Sequence, residues 1–447
     1  MPAVLSLPTA PEFSAENAFP NEILFEITDS AESSQLSIIS QVNMALRRHI
    51  YSRSFKNIRI VAGARCIRWR KMLANDRLTY TGTVIPDSFK EVITDLSRAD
   101  PELLSHVDRL TLSGLSDEER FMSNSMGGSG DDPYLTTCIV RQILELLPNL
   151  KTLHVANVLW AACLEKTLAP SHRCHATTLT LDLSGVWFTG ITHGRVTESV
   201  FDILHLVKSC ETIYISAVQW DYVLPLGLRL HRLERPDVHR LRFDFPTGFD
   251  IGDQVLRRFP VFKSLTYLDV HDVMDMTFDA FVDLVNYNCT TLRSIILDVG
   301  RNAFPVDQWV NLPLAKCQKL EEICLFLELC AHDPHETCAG TETLTCFTRS
   351  LPSTLRKIHI RTEDVSDFPY SVRRFCTIPD WVSIIPNLKR IHSLETLEFT
   401  LGNTEVESDA SVLVDWEEWI EDELTGVNII FSEAADVDMK PAEFHRI

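Results

Sequence analysis

Two cysteines and two histidines near position 330 are the residues whose types and spacing come nearest to metal chemistry. Cys330, His332, His335 and Cys338 fall within nine residues, in the segment CLFLELCAHDPHETC. Zinc prefers thiolate and imidazole ligands, but structural zinc sites usually take paired ligands from separate turns of the chain. An irregular loop is the plainer interpretation of this cluster, and we predict no metal site.

Other signatures of catalysis or phosphate binding are missing from the sequence. The glycine run MGGSGDDP at 126–133 lacks the lysine and the following serine or threonine of a phosphate-binding loop, which favours a flexible insertion. The sequence also lacks the GxSxG, HExxH and protein-kinase signatures. We therefore predict no catalytic residues, no cofactor and no enzymatic activity.

The composition is that of a folded chain with an acidic balance. Of the 447 residues, 45% are hydrophobic and 23% are charged, and the net charge is −20. This charge disfavours nucleic acid as a partner, because phosphate contacts need clustered Lys and Arg. Residues 47–77 contain ten Lys or Arg against Asp76, which is more typical of a solvated basic face than of a nucleic-acid site.

The first residues and the cysteines bear on the cellular compartment. The N-terminus has no basic start with a long apolar run, and no apolar segment long enough to cross a bilayer follows, so we expect neither a signal peptide nor a membrane span. We expect a cytoplasmic or nuclear protein. The 12 cysteines are then better interpreted as small buried hydrophobes than as a disulfide framework.

Short segments with the pattern apolar-x-x-apolar-x-apolar recur along the chain, from VDRLTL to LETLEF. Five of the nine gaps between their middle apolar residues have almost the same length. This regular spacing predicts a solenoid of units with one short strand and one helix, whose strands stack in parallel. Flanking copies are centred on Ile58 and Val427. The markers between them are Leu110, Leu153, Leu181, Ile213, Leu241, Leu268, Ile295, Ile323, Ile358 and Leu397.

Helical patterns such as FDAFVDLVNYN and WVSIIPNL separate the strands. The segment LVDWEEWIEDEL predicts a closing cap helix with Trp416, Trp419, Ile420 and Leu424 on one face. The region from Val107 to Phe431 resembles leucine-rich repeats, which implies an α/β solenoid of parallel strands plus helices. Valine replaces the Asn or Cys that usually follows the strand in that family, at Val158, Val186, Val218 and Val273.

Two amphipathic helical patterns precede the repeats. Pro20 suits the first position of a helix, and a second apolar stripe follows the polar break TDSAESS. An element this small needs a partner for its apolar surface, which is either the first turn of the solenoid or another protein.

The stretch FPNEILFEI, followed by QLSIISQVNMALRRHI and SFKNIRI, resembles an F-box, and the succession of F-box and irregular repeats resembles fungal F-box-like proteins. The resemblance implies docking on a Skp-type adaptor and, through it, on a cullin scaffold. The implied adaptor contacts are Phe19, Pro20, Ile23, Leu24, Ile27, Leu36, Ile39, Val42 and Leu46.

The role implied by this resemblance is that of the substrate-recognition subunit of a cullin-type ubiquitin ligase, with an unknown protein substrate. The alternative is a repeat scaffold whose N-terminal helices only cap the solenoid. Since side chains alternate across a strand, the residues between the apolar positions point to the exposed, concave face. The predicted substrate-binding residues there are Tyr214, Arg240, Arg242, Asp244, Tyr267, Asp269 and His271.

These patterns divide the chain into five parts. They are a flexible tail at 1–18, an F-box-like helical domain at 19–54, a first strand with an irregular helical connection at 55–105, the solenoid with its C-terminal cap at 106–432, and an acidic tail at 433–447.

Overall fold

The computed structural model describes the strands and helices of the repeat region. The described residues are 56–61, 82–84, 89–99, 101–114, 134–161, 174–175, 180–189, 206–220, 237–244, 262, 264–271, 275–299, 306–327, 339–362, 376, 380–401 and 410–433. The predicted F-box-like helices, the glycine run at 126–133, the cysteine and histidine cluster at 330–338 and residues 434–447 of the predicted tail lie outside them.

Sixteen strands in the described part of the chain form one sheet, and every pairing between them is parallel. The order is β16-β15-β14-β13-β12-β11-β10-β9-β8-β5-β3-β1-β2, with β4, β6 and β7 beside this path. The stacking of an open parallel sheet in chain order is compatible with a solenoid. The strands are β1 Asn57–Val61, β2 Gly82–Val84, β3 Arg109–Ser113, β4 Tyr134–Thr136, β5 Thr152–Ala156, β6 Val158–Ala161, β7 Cys174–His175, β8 Thr180–Thr189, β9 Val207–Trp220, β10 Asp237–Asp244, β11 Tyr267–His271, β12 Ser294–Asp298, β13 Glu322–Leu327, β14 Lys357–Thr362, β15 Thr396–Leu401 and β16 Asn428–Glu433.

The register of the sheet confirms the predicted marker residues. From Ile58 opposite Leu110 to Ile358 opposite Leu397, each marker pairs with the marker of the next unit. The last marker is wrong, because Leu397 lies opposite Ile429 rather than Val427. Gly426 adopts φ 89°, a left-handed conformation that suits glycine, and the strand begins only after this turn.

Helices cover the face of the sheet to which the markers point, and the two layers enclose one apolar core. Polar side chains begin two of them: Thr136 accepts a hydrogen bond from Ile139 N at 3.4 Å, and Asp380 accepts one from Ser383 N at 3.3 Å. The helices are α1 Phe89–Arg98, α2 Pro101–Leu104, α3 Thr137–Leu146, α4 Asp275–Asn288, α5 Val306–Asn311, α6 Ala339–Ser350, α7 Trp381–Lys389 and α8 Ala410–Glu423, with a 3-10 turn at Pro313–Lys316.

The N-terminal edge of the sheet departs from chain order. β2 follows β1 in the sequence, yet it pairs with the outer side of β1, so that β1 lies between β2 and β3. A three-residue strand with a glycine carries no repeat pattern, which is why the sequence did not predict it. A second ladder joins β4, β6 and β8, and Val158, at the position where an Asn or Cys was expected, is fully buried there.

At the C-terminal end, the predicted Trp416 and Ile420 of α8 and Leu424 in the turn after it pack against the core. Trp419 is 36% exposed, so its predicted place on the same face as these three residues is wrong. At about 100° per residue, Trp416, Ile420 and Leu424 form a narrow stripe, and Trp419 lies about 100° from its centre.

The described cysteines are mostly small buried hydrophobes, as predicted. Free thiols at Cys210, Cys317, Cys324 and Cys346 are buried, and those at Cys289 and Cys376 are partly buried. Cys138 is the exception, because it is disulfide-bonded.

None of the helices described here combines the length and the apolar character needed to cross a membrane.

Candidate functional site

The face of the sheet opposite the helices carries six of the seven predicted substrate-binding side chains, and we call it the open face. Tyr214 lies opposite Arg242, which lies opposite Asp269, while Arg240 lies opposite Tyr267. The backbone of Asp244 lies opposite His271, but its side chain is outside the described part. The parallel register therefore brings these residues into one cluster over β9 to β11.

Asp269 is the centre of a charged network. The alternation of side chains had predicted that it is exposed, but its exposed fraction is only 3%. Its Oδ2 lies 3.6 Å from Arg242 Nε, and its Oδ1 lies 2.8 Å from His271 Nε2. His271 Nδ1 in turn lies 3.3 Å from Asp298 Oδ2. Asp269 is buried because it lies between the larger residues Arg242 on β10 and Ile296 on β12 in the register.

Arg242 of this network and the nearby Arg240 each stack on a tyrosine. The Arg242 guanidinium lies 4.6 Å from the centre of the Tyr214 ring, and that of Arg240 lies 5.3 Å from the centre of the Tyr267 ring. The Tyr267 hydroxyl donates a hydrogen bond of 3.5 Å to Asp269 Oδ2. Burial and the nearby Asp269 carboxylate raise the pKa of Tyr267, so the phenol remains protonated and keeps its donor.

The open face also carries an apolar cluster that was not predicted from the sequence. Ile296, Cys324 and Phe326 are buried together on β12 and β13, and Tyr267 packs against them. Their strands read SIILD and EICLFL, which are runs of consecutive apolar residues. Such a run indicates a strand that is buried on both faces, and this signal could have located the cluster.

A cavity of about 270 Å³ lies over this cluster. Its floor includes Ile296 and Cys324, and its walls include Arg240, Tyr267 and His359. Arg240 and Tyr267, which the alternation had predicted, thus meet an apolar floor that was not predicted. Concave sites with an apolar base and a few polar groups are the usual form of binding sites.

His359 on β14 makes polar contacts with both neighbouring strands, β13 and β15. Its Nδ1 lies 3.3 Å from Cys324 Sγ, and its Nε2 lies 2.8 Å from Thr400 Oγ1. Burial raises the pKa of the Cys324 thiol well above its ordinary value and lowers that of His359 to about 4. The pair is therefore neutral at pH 7, and the thiol lacks the thiolate character of a nucleophile.

His359 is expected to make the folded state sensitive to acid. Between pH 6.5 and 4 the imidazole takes up a proton in the unfolded chain but not in the folded protein. The contribution of His359 to the free energy of unfolding is therefore fully present above pH 6.5 and falls as the pH is lowered. Over this window we expect a loss of about 3 kcal/mol. Urea unfolding of the wild type and of His359→Gln at several pH values measures the difference, and parallel pH profiles would contradict the expectation.

Glu398 contributes in the same direction. Burial is the largest single influence and raises its pKa. The hydrogen bond from Lys357, whose Nζ lies 2.7 Å from Glu398 Oε2, and the electrostatic attraction of His359 and Lys357 together outweigh burial and leave the pKa below its ordinary value. This stabilisation is present at pH values above the pKa of Glu398 in the unfolded chain. It is lost as the pH falls through the lower pKa that Glu398 has in the folded protein.

Within the described residues, no group of three or more His, Cys, Asp or Glu is arranged to hold a metal ion.

No protein-family model matches the chain, and a comparison with curated proteins found no similar sequence. The class of molecule that the described part defines is thus an open parallel α/β array with a chemically mixed open face.

Proposed function

We propose that this chain is a protein-recognition subunit whose open face binds another protein. The observation that carries the proposal is the cluster of Tyr, Arg, His and acidic side chains beside an apolar cavity on one continuous sheet. Protein interfaces are enriched in Tyr and Arg around an apolar centre. A stack of strands offers such a surface over many units without a catalytic centre.

Within this proposal, we assign the repeats to the leucine-rich class and the chain to the substrate-recognition subunits of cullin-type ubiquitin ligases. The support is the resemblance of residues 19–50 to an F-box, followed by strands at the predicted markers. The subunit would hold a substrate near the conjugating enzyme and raise the effective concentration of its lysines. A scaffold without a ligase, in which those helices cap the sheet, is the alternative.

The experiment that separates the two is capture of a Skp-type adaptor and a cullin by the intact chain. We expect the intact chain to retain both proteins and the Leu24→Asp, Val42→Asp double variant to lose them, because each charge would enter an apolar contact. Affinity capture followed by quantitative mass spectrometry measures the retention. We expect at least a tenfold loss, which corresponds to about 1.4 kcal/mol.

The control is Val382→Asp, which places the same charge at a residue that is 78% exposed on α7. This variant should capture the adaptor as the wild type does. If the folded intact chain captures no adaptor, or if the double variant captures it equally well, the ligase role is wrong and the scaffold remains.

A further inference from the structure

The cavity on the open face is small and has one apolar side. Ile296 and Cys324 form its floor, and Tyr267 packs against them. Its volume of about 270 Å³ falls below the roughly 300–1,000 Å³ of pockets for drug-sized ligands. The space suits one large side chain better than a cofactor.

The cations around the cavity are already engaged. Arg293 Nη1 lies 3.0 Å from Glu321 Oε1, and Lys357 Nζ lies 2.7 Å from Glu398 Oε2. Arg240 stacks on Tyr267 and lies 3.8 Å from a carboxylate oxygen of Glu211. An anionic ligand would have to compete with these acidic groups for each of the three cations.

Glu322 is the charged group of the cavity that remains available. It lies at the first position of β13, between Ser294 and Lys357 in the register, and it is half-buried. Among the residues that the structure describes, the Glu322 carboxylate makes neither a hydrogen bond nor an ion pair, whereas Lys357 pairs with Glu398. A partly desolvated carboxylate without a partner favours a cation beside it.

We propose that the cavity binds a segment of a partner protein in which a large apolar side chain stands directly beside a lysine or arginine. The apolar side chain packs on Ile296 and Cys324, and the cation pairs with Glu322 at the rim. The net charge of −20 also favours a basic partner, since long-range attraction speeds association with it. This inference rests on the proposed protein-recognition function and specifies its ligand.

The test selects peptides from a phage-displayed library of random dodecapeptides on the intact chain. We expect the enriched peptides to share an aromatic or large aliphatic residue next to Lys or Arg. Fluorescence polarisation with the most enriched peptide should show binding weakened about tenfold or more in Glu322→Lys and in Ile296→Asp. Glu322→Gln, which keeps the size of the side chain, should give a smaller loss.

The matched control is Glu418→Lys, the same reversal at an exposed residue of α8. It should bind the peptide as the wild type does, and circular dichroism checks that each variant is folded. The absence of enriched peptides, enrichment of acidic ones, or equal binding by folded Glu322→Lys would overturn the inference. Adaptor capture by Glu322→Lys is a separate readout, so that loss of the ligase role and loss of this site are told apart.

Discussion

Replacement of Trp416 by alanine is expected to lower the free energy of unfolding by about 3–5 kcal/mol, because it removes the centre of an aromatic cluster that closes the array. The Trp416 ring centre lies 4.9 Å from that of Trp381 and 5.4 Å from those of Phe399 and Phe431. It thereby joins two helices to the last two strands. Urea unfolding measures the total loss.

Hydrogen exchange measures which strands are destabilised by the Trp416 substitution. In a stacked array each unit contacts mainly its neighbours, so protection should decrease first in β15 and β16 and remain in β10 and β11. Trp419→Ala is the matched control on the same helix, since that side chain is 36% exposed, and it should cost less than about 1 kcal/mol. Equal effects of the two substitutions would contradict the assigned cap.

Replacement of Asp269 by asparagine is expected to cost about 3 kcal/mol, because the carboxylate is buried between Arg242 and His271 and its neutralisation leaves the Arg242 cation without its buried partner. The amide keeps the volume of the side chain, so the loss reports the charge rather than the packing. Thermal and urea unfolding give the magnitude.

A double-mutant cycle makes this second test specific. Arg242→Gln combined with Asp269→Asn should cost less than the sum of the single changes, because no lone charge remains. Asp298→Asn, which contacts the same His271 at 3.3 Å but is more exposed, should cost about 1 kcal/mol. Strict additivity, or an equal loss for Asp298→Asn, would show that the network is not centred on Asp269.

The strand positions could be predicted because they repeat. Burial of the marker residues creates a spacing that is almost constant in five of the nine gaps, and in that part of the sheet the markers lie opposite one another in the register. The alternation of faces also placed Tyr214, Arg240 and Arg242 correctly on the open face. What local patterns cannot state is how deep a residue lies on that face, so Asp269 was predicted to be exposed although its neighbours bury it.

The features that were missed depend on contacts across strands that carry no period. β2 has three residues, and its place outside β1 follows from an edge that only the folded sheet defines. The cavity combines Ile296 on β12, Cys324 on β13 and His359 on β14, which are brought together by register. The apolar runs in β12 and β13 indicated that something covers both faces, but they did not identify the covering residues.

The order of the strands also has a consequence for biosynthesis. Leu241, Leu268 and Ile295 lie side by side in the sheet and are evenly spaced along the chain. Closing loops of this length costs little more entropy than closing shorter ones, and each new unit needs only the preceding one as its template. The sheet can therefore grow from its N-terminal end while later units are still on the ribosome, and α8 is synthesised late, when most of the strands are already in place.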